Sequence, residues 1–209
     1  MLRFLFVLLF VSGTVPALAA PVPPVLVLGD SLSAAYGIAP EQGWVALLDA
    51  RLATAARPRK VVNASISGET TAGGLARLPA LLAEHRPALV VLELGANDGL
   101  RGLPLASARA NLSRMLAAIR AAGAQALLVG IELPVNYGPQ YRDGLRSLYR
   151  DLAREFNVPL VPFLLEGVAL DPALMQEDGL HPKAAAQPAV LANVWAVLEP
   201  ALAKLREAS

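Results

Sequence analysis

Beyond Pro24 the chain alternates short aliphatic runs with longer stretches of helical periodicity, and this alternation constrains its fold more than any other feature. Runs such as Val25 to Gly29 and Ala88 to Leu94 are apolar at successive positions but for Glu93, the pattern of strands buried on both faces. Such strands belong to a parallel sheet, and parallel neighbours need connections long enough to hold a helix. The predicted strands are Val25 to Gly29, Lys60 to Ala64, Ala88 to Leu94, Ala126 to Ile131 and Pro159 to Pro162. The predicted helices are Trp44 to Ala56, Leu75 to His85, Leu105 to Ala122, Tyr141 to Phe156 and Ala184 to Leu205. Ser65 to Gly74 and Glu132 to Gln140 read as loops. Pro79 marks the first turn of the second helix or a kink in it, because proline lacks the N–H that a helix interior requires.

The first 20 residues stand apart. Arg3, the apolar stretch Phe4 to Val11, and then Gly13, Pro16 and Ala17-Leu18-Ala19 form the three-part pattern of a secretory signal, cleaved after Ala19 or Ala20. The apolar stretch is shorter than the roughly 20 residues that cross a bilayer, so no stable membrane insertion is expected after its removal. The expected organisation is a removed signal over 1–20 and one domain over 21–209, exported to the periplasm or secreted. Removing Arg3 takes Lys plus Arg from 18 to 17, against 17 for Asp plus Glu, so the net charge becomes zero and nothing favours nucleic acid. The chain has no cysteine, which excludes disulfides and thiol chemistry. With two histidines, His85 and His181, a zinc site is not expected.

Ligands of an open parallel sheet bind beyond the carboxyl ends of its strands, and three such places carry polar residues. They are Gly29-Asp30-Ser31-Leu32, Asn63 to Thr70, and Gly95-Ala96-Asn97-Asp98. A serine there serves as a helix cap or, given a base, as a nucleophile. Gly29 predicts a tight turn before it. Asp178 lies three residues before His181, close enough for its carboxylate to hold Nδ1 and leave Nε2 to accept a serine proton, although the same spacing also suits a surface turn. His85, beside Glu84 and Arg86 at a helix end, reads as structural. Gly68 offers a backbone amide to a substrate oxygen and Asn97 a side-chain amide, each with ordinary turn geometry as the alternative. Asp98 reads as a turn residue.

Taken together and in this order, the four segments resemble the blocks of the GDSL, or SGNH, hydrolases. The resemblance is closest to the periplasmic thioesterase/protease/lysophospholipase subgroup, which includes arylesterases. It is carried also by Val61-Val62-Asn63-Ala64-Ser65-Ile66-Ser67-Gly68, Gly74 to Leu82, and Asn97-Asp98-Gly99-Leu100-Arg101-Gly102, and runs from about Val25 to Pro200. Ala96 departs from it, since relatives often carry glycine there; the expected effect is a slight change of local backbone. The resemblance implies a flavodoxin-like three-layer α/β/α sandwich on a five-stranded parallel sheet. It implies catalysis by Ser31, Asp178 and His181, an oxyanion hole from the Ser31 and Gly68 amides and the Asn97 side chain, and no cofactor or metal. It further implies an acyl pocket from Leu75, Leu78 and Pro79, in a loop over the chain, and from Leu133 and Pro134. The implied substrates are small-molecule esters and thioesters, lysophospholipids among them, met by a monomer. Two other readings stand beside this one, a carbohydrate deacetylase of the same superfamily and a non-catalytic acyl-binding domain. The low aromatic content, 5%, and the Leu, Ala and Pro of the loops favour an acyl pocket over a sugar site.

Overall fold

The computed structural model describes residues 22–207, so the segment read as an export signal lies outside the described residues. Five strands form one parallel sheet: β1 (Val25–Gly29), β2 (Val61–Asn63), β3 (Leu89–Glu93), β4 (Gln125–Val129) and β5 (Leu160–Val161). Their order is β2-β1-β3-β4-β5, the flavodoxin-like arrangement, with its switch point between β1 and β3. Both central strands are buried at every position, which is why they read as unbroken apolar runs. Glu93 is the exception in composition.

Helices cover both faces. On one, α1 (Trp44–Ala53) packs against α6 (Gln187–Glu207); on the other, α2 (Thr71–His85), α4 (Leu105–Ala121) and α5 (Pro139–Phe156) pack in sequence, and a short α3 (Ala96–Leu100) follows β3. The apolar sides of these helices enter one core with the strands, through residues such as Trp44, Leu78, Leu112, Met115, Tyr149 and Val194. Helix α6 is long and apolar enough to cross a membrane by composition, but Val190, Val194 and Leu198 are fully buried in this core.

Helix α2 departs from expectation. It begins at Thr71 rather than Leu75, with the Thr70 hydroxyl accepting the Gly73 amide, and Pro79 lies in its interior. Pro79 is exposed, so the carbonyl that its ring leaves unbonded is open to solvation. The early start has a tertiary cause: the buried Asp98 carboxylate accepts the Thr71 amide at 2.8 Å and the Thr71 hydroxyl at 2.6 Å. Helix α6 begins at Gln187, which places Pro188 in its first turn, where the missing N–H costs nothing.

Candidate active site

Ser31 stands two residues beyond the end of β1, in a turn closed by Ala34 N–H to the Asp30 carbonyl at 2.9 Å and Tyr36 N–H to the Ser31 carbonyl at 3.2 Å. Two buried carboxyl groups hold this turn from beneath. Asp30 Oδ1 accepts the Leu32 amide at 3.0 Å, while Glu93 Oε2 accepts the Asp30 amide at 3.2 Å and the Ser33 hydroxyl at 2.7 Å. Gly29 pairs with Glu93 across the β1/β3 register, and a Cβ on Gly29 would stand 2.6 Å from Glu93 Oε2 and 2.7 Å from Ser33 Oγ. The turn around Ser31 is tight as expected, but not through backbone freedom at Gly29. The glycine continues the strand without a positive φ, and what it supplies is room for the Glu93 carboxyl.

His181 reaches Ser31 from far along the chain. Its Nε2 lies 2.8 Å from Ser31 Oγ, and its Nδ1 lies 2.6 Å from Asp178 Oδ2. Asp178 Oδ1 accepts the amides of Leu180 at 2.9 Å and His181 at 3.0 Å, so one carboxylate shapes its own turn and also fixes the imidazole. Burial pulls the Asp178 carboxyl upward, but the bonds from His181 and the two amides outweigh it and hold its pKa below the ordinary value. The connection from β5 to α6 carries this turn. It is pinned by the Gln176 amide to the His181 carbonyl at 2.8 Å, by a bridge between Met175 and Pro182, and by Gln176 Nε2 to the Tyr36 carbonyl at 2.9 Å. The Tyr36 ring lies 4.4 Å from the imidazole and walls its outer side.

The two remaining segments close around Ser31. Asn97 Nδ2 donates to Asp30 Oδ2 at 3.1 Å, a bond that orients the amide and leaves its second N–H to spare. Gly68 has φ +80°, a conformation that favours glycine. The Ser31 and Gly68 amides make no hydrogen bond to another described residue. Asp98, expected as a turn residue, is buried and ties the Asn97 segment to the start of α2, three residues beyond Gly68. Ala96 adopts helical backbone and turns its methyl toward the cleft, so glycine is not required there.

A mainly apolar cleft opens beside Ser31, lined by Leu32, Ala96, Asn97, Leu100, Ile131, Leu133, Pro134, Leu165, Leu180 and His181. Leu133 and Pro134 are where the acyl-pocket reading puts them. Leu75, Leu78 and Pro79 do not line this cleft, and that part of the expectation is corrected. All three belong to α2, with Leu78 fully buried in the core and Pro79 exposed. Their place at the cleft is taken by Leu100, at the end of α3. His85 lies at the C-terminus of α2 with Nε2 3.7 Å from Glu84 and does not join the site. Among the described residues no group of three or more His, Asp or Glu side chains is placed to hold a metal ion.

The chain is similar to known proteins in sequence and fold. The profile of the GDSL-like lipase/acylhydrolase family matches residues 27–188, a span that includes Ser31, Gly68, Asn97, Asp178 and His181. The chain belongs to that family. It is 57% identical to esterase TesA of Pseudomonas aeruginosa over 177 residues, covering 85% of this chain and 88% of the relative. It is 46% identical to thioesterase 1/protease 1/lysophospholipase L1 of Escherichia coli over 187 residues, covering 90% and 86%. A crystal structure of TesA superposes with a TM-score of 0.83 at 56% identity, covering 85% of this chain and 98% of that one. The chain is accordingly a hydrolase of carboxylic esters, on an α/β fold common to the family.

Glu93 is the site residue that sequence reasoning missed. Its signal was a lone acid inside the apolar run Leu89 to Leu94, a position that buries a charge unless the fold uses it. Burial, and then the neighbouring Asp30 charge, push the Glu93 carboxyl well above its ordinary pKa, and burial raises Asp30 to about 6. A raised carboxyl pKa favours the folded state most below the unfolded value near 3.8, and that contribution is lost as pH rises through about 6. Urea midpoints of wild type and Asp30→Asn, measured from pH 4 to 7.5, are therefore expected to diverge in one direction. Wild type should lose stability relative to the variant as pH increases, and parallel curves would show that Asp30 does not titrate in this range.

Proposed function

We propose that Ser31 is the nucleophile, His181 the general base and then acid, and Asp178 the group that orients His181. The observation that carries this reading is the unbroken chain from Ser31 Oγ to His181 Nε2 at 2.8 Å and from His181 Nδ1 to Asp178 Oδ2 at 2.6 Å. A hydroxyl is a weak nucleophile at neutral pH, and an imidazole held in one tautomer takes its proton as the Oγ–carbon bond forms. The oxyanion that develops on the substrate is met by the Ser31 and Gly68 amides and the Asn97 side chain. His181 then returns the proton to the departing alkoxide or thiolate as the carbon–oxygen or carbon–sulfur bond breaks. Water, deprotonated by His181, attacks the acyl-enzyme, and the carboxylic acid leaves as Ser31 recovers its proton.

The substrates on this reading are small-molecule acyl esters and thioesters, with lysophospholipids among them, and the enzyme works as a monomer because one chain supplies every group in the site. Residues 1–20 serve as an export signal removed from a hydrolase domain over 21–209, so the reaction takes place in the periplasm or outside the cell; the Arg3, apolar and small-residue pattern supports this.

The apolar cleft takes the acyl chain. Each methylene that enters it contributes up to about 0.8 kcal/mol, so kcat/KM for p-nitrophenyl esters should climb from two carbons upward and then level off. Leu133 is nearly fully buried at the cleft wall, and Leu133→Ser should flatten the climb for long chains while leaving acetate little changed. A wild-type profile that peaks at acetate and falls steadily would remove the acyl groove and favour a deacetylase.

A further inference from the structure

We infer that Arg101 forms an anion subsite for the leaving group, selecting esters and thioesters whose alcohol or thiol carries a phosphate. The inference rests on the proposed hydrolase reading and names a substrate feature that the Ser31 machinery by itself does not distinguish. Arg101 follows α3, four residues after Asn97, and is exposed. Its Nη2 donates to the Gly68 carbonyl at 2.8 Å, which places the guanidinium between the two segments that flank Ser31.

Its charge is unusual for this region. Arg77 pairs with Glu69, and Arg142 and Arg146 share Glu132. Lys183, two residues beyond His181, is committed to the carbonyls of Pro172 and Ala173. Arg101 has a backbone carbonyl for a partner and no carboxylate among the described residues. A guanidinium carries five N–H donors in a planar fork that suits phosphate, and the bond to Gly68 leaves most of them available.

The direction of the substrate follows from the sheet order. The apolar cleft lies on the side of β3 and β4, lined by Leu100, Ile131, Leu133 and Pro134. Gly68 follows β2, on the opposite side of β1, and does not line that cleft. With the acyl chain in the cleft and the departing atom beside His181, the Gly68 side of Ser31, where the guanidinium lies, is left to the far end of the leaving group. Charge-assisted bonds of this kind are stronger than neutral ones and weaken with added salt when exposed.

The test compares substrates that differ in the phosphate alone, below their aggregation concentration: 1-octanoylglycerol against 1-octanoylglycerol 3-phosphate, and octanoylpantetheine against octanoyl-4′-phosphopantetheine. Wild type should prefer the phosphate-bearing member of each pair by about tenfold or more in kcat/KM at low salt, and the preference should shrink in 0.5 M NaCl. Arg101→Gln should abolish the preference, and Arg101→Lys should retain part of it. Loss of the preference in the lipid pair alone, or in the thioester pair alone, would still overturn the general phosphate subsite stated here. An equal fall of both members in Arg101→Gln would reduce Arg101 to a clamp on Gly68, and a wild type without preference would also overturn the proposal. Failure of the hydrolase reading is a separate result, since wild type would then cleave neither member of either pair.

Discussion

Ser31→Ala is expected to lower ester hydrolysis on the order of 10⁴-fold or more while leaving the protein folded. The hydroxyl makes one described side-chain bond, to His181, and the turn around it is held by Asp30, Glu93 and Ser33, none of which the substitution touches. His181 keeps its bonds to Asp178, so the base remains in place with nothing to deprotonate except water. The residual rate should reflect the oxyanion donors and substrate binding alone. An organophosphorus ester should label wild type at Ser31 and spare the variant, as read by mass spectrometry of the intact and digested chain. Near-normal turnover in Ser31→Ala, or labelling at another residue, would move the site.

Asn97→Ala has the next largest expected effect, a fall of roughly 10²- to 10³-fold, the usual result of deleting one preorganised donor. The loss should appear in kcat with little change in KM, because the donor is aimed at charge that exists only in the transition state. The substitution also leaves Asp30 Oδ2 without its partner inside the protein, at a cost of about 1–3 kcal/mol in stability. Activity should therefore be measured well below the variant's melting temperature. A variant that is less stable but turns over normally when folded would leave Asn97 with a purely structural role.

Much of this was legible in the chain because it depends on local pattern. Strand β1 was readable to the residue, since five successive buried positions leave an unbroken apolar run. Asp178 and His181 were readable because their contact is made within a single turn. The failures come from partners far apart in sequence. The start of α2 is set by Asp98, 27 positions away, and a reading that took the Ser, Gly and Thr of Ser65 to Gly74 as a loop had no access to that bond. Glu93 is joined to Ser33 across 60 positions, so its acid stood out in the apolar run without revealing what it held. Gly29 was read through the turn that follows it, whereas its requirement is set by the carboxyl across the ladder. The loop placed at Leu75 to Ala80 failed for a related reason: an apolar stretch near a proline fits a mobile flap and a core helix equally until its packing is known.

Ser31 and His181 also hang from very different supports. Ser31 follows a fully buried strand with a neighbour on either side, whereas the His181 turn follows β5, a two-residue edge strand, by way of a long connection held by Gln176, the Met175–Pro182 bridge and the buried side chains of Leu164, Val168 and Met175. Opening a sheet edge requires less free energy than unfolding its centre. On warming, a state is expected in which the imidazole has left while the sheet and Ser31 are intact. In that state the enzyme is silent but recoverable on cooling, and the resilience of its catalysis is set by the margin of the fold rather than by its core.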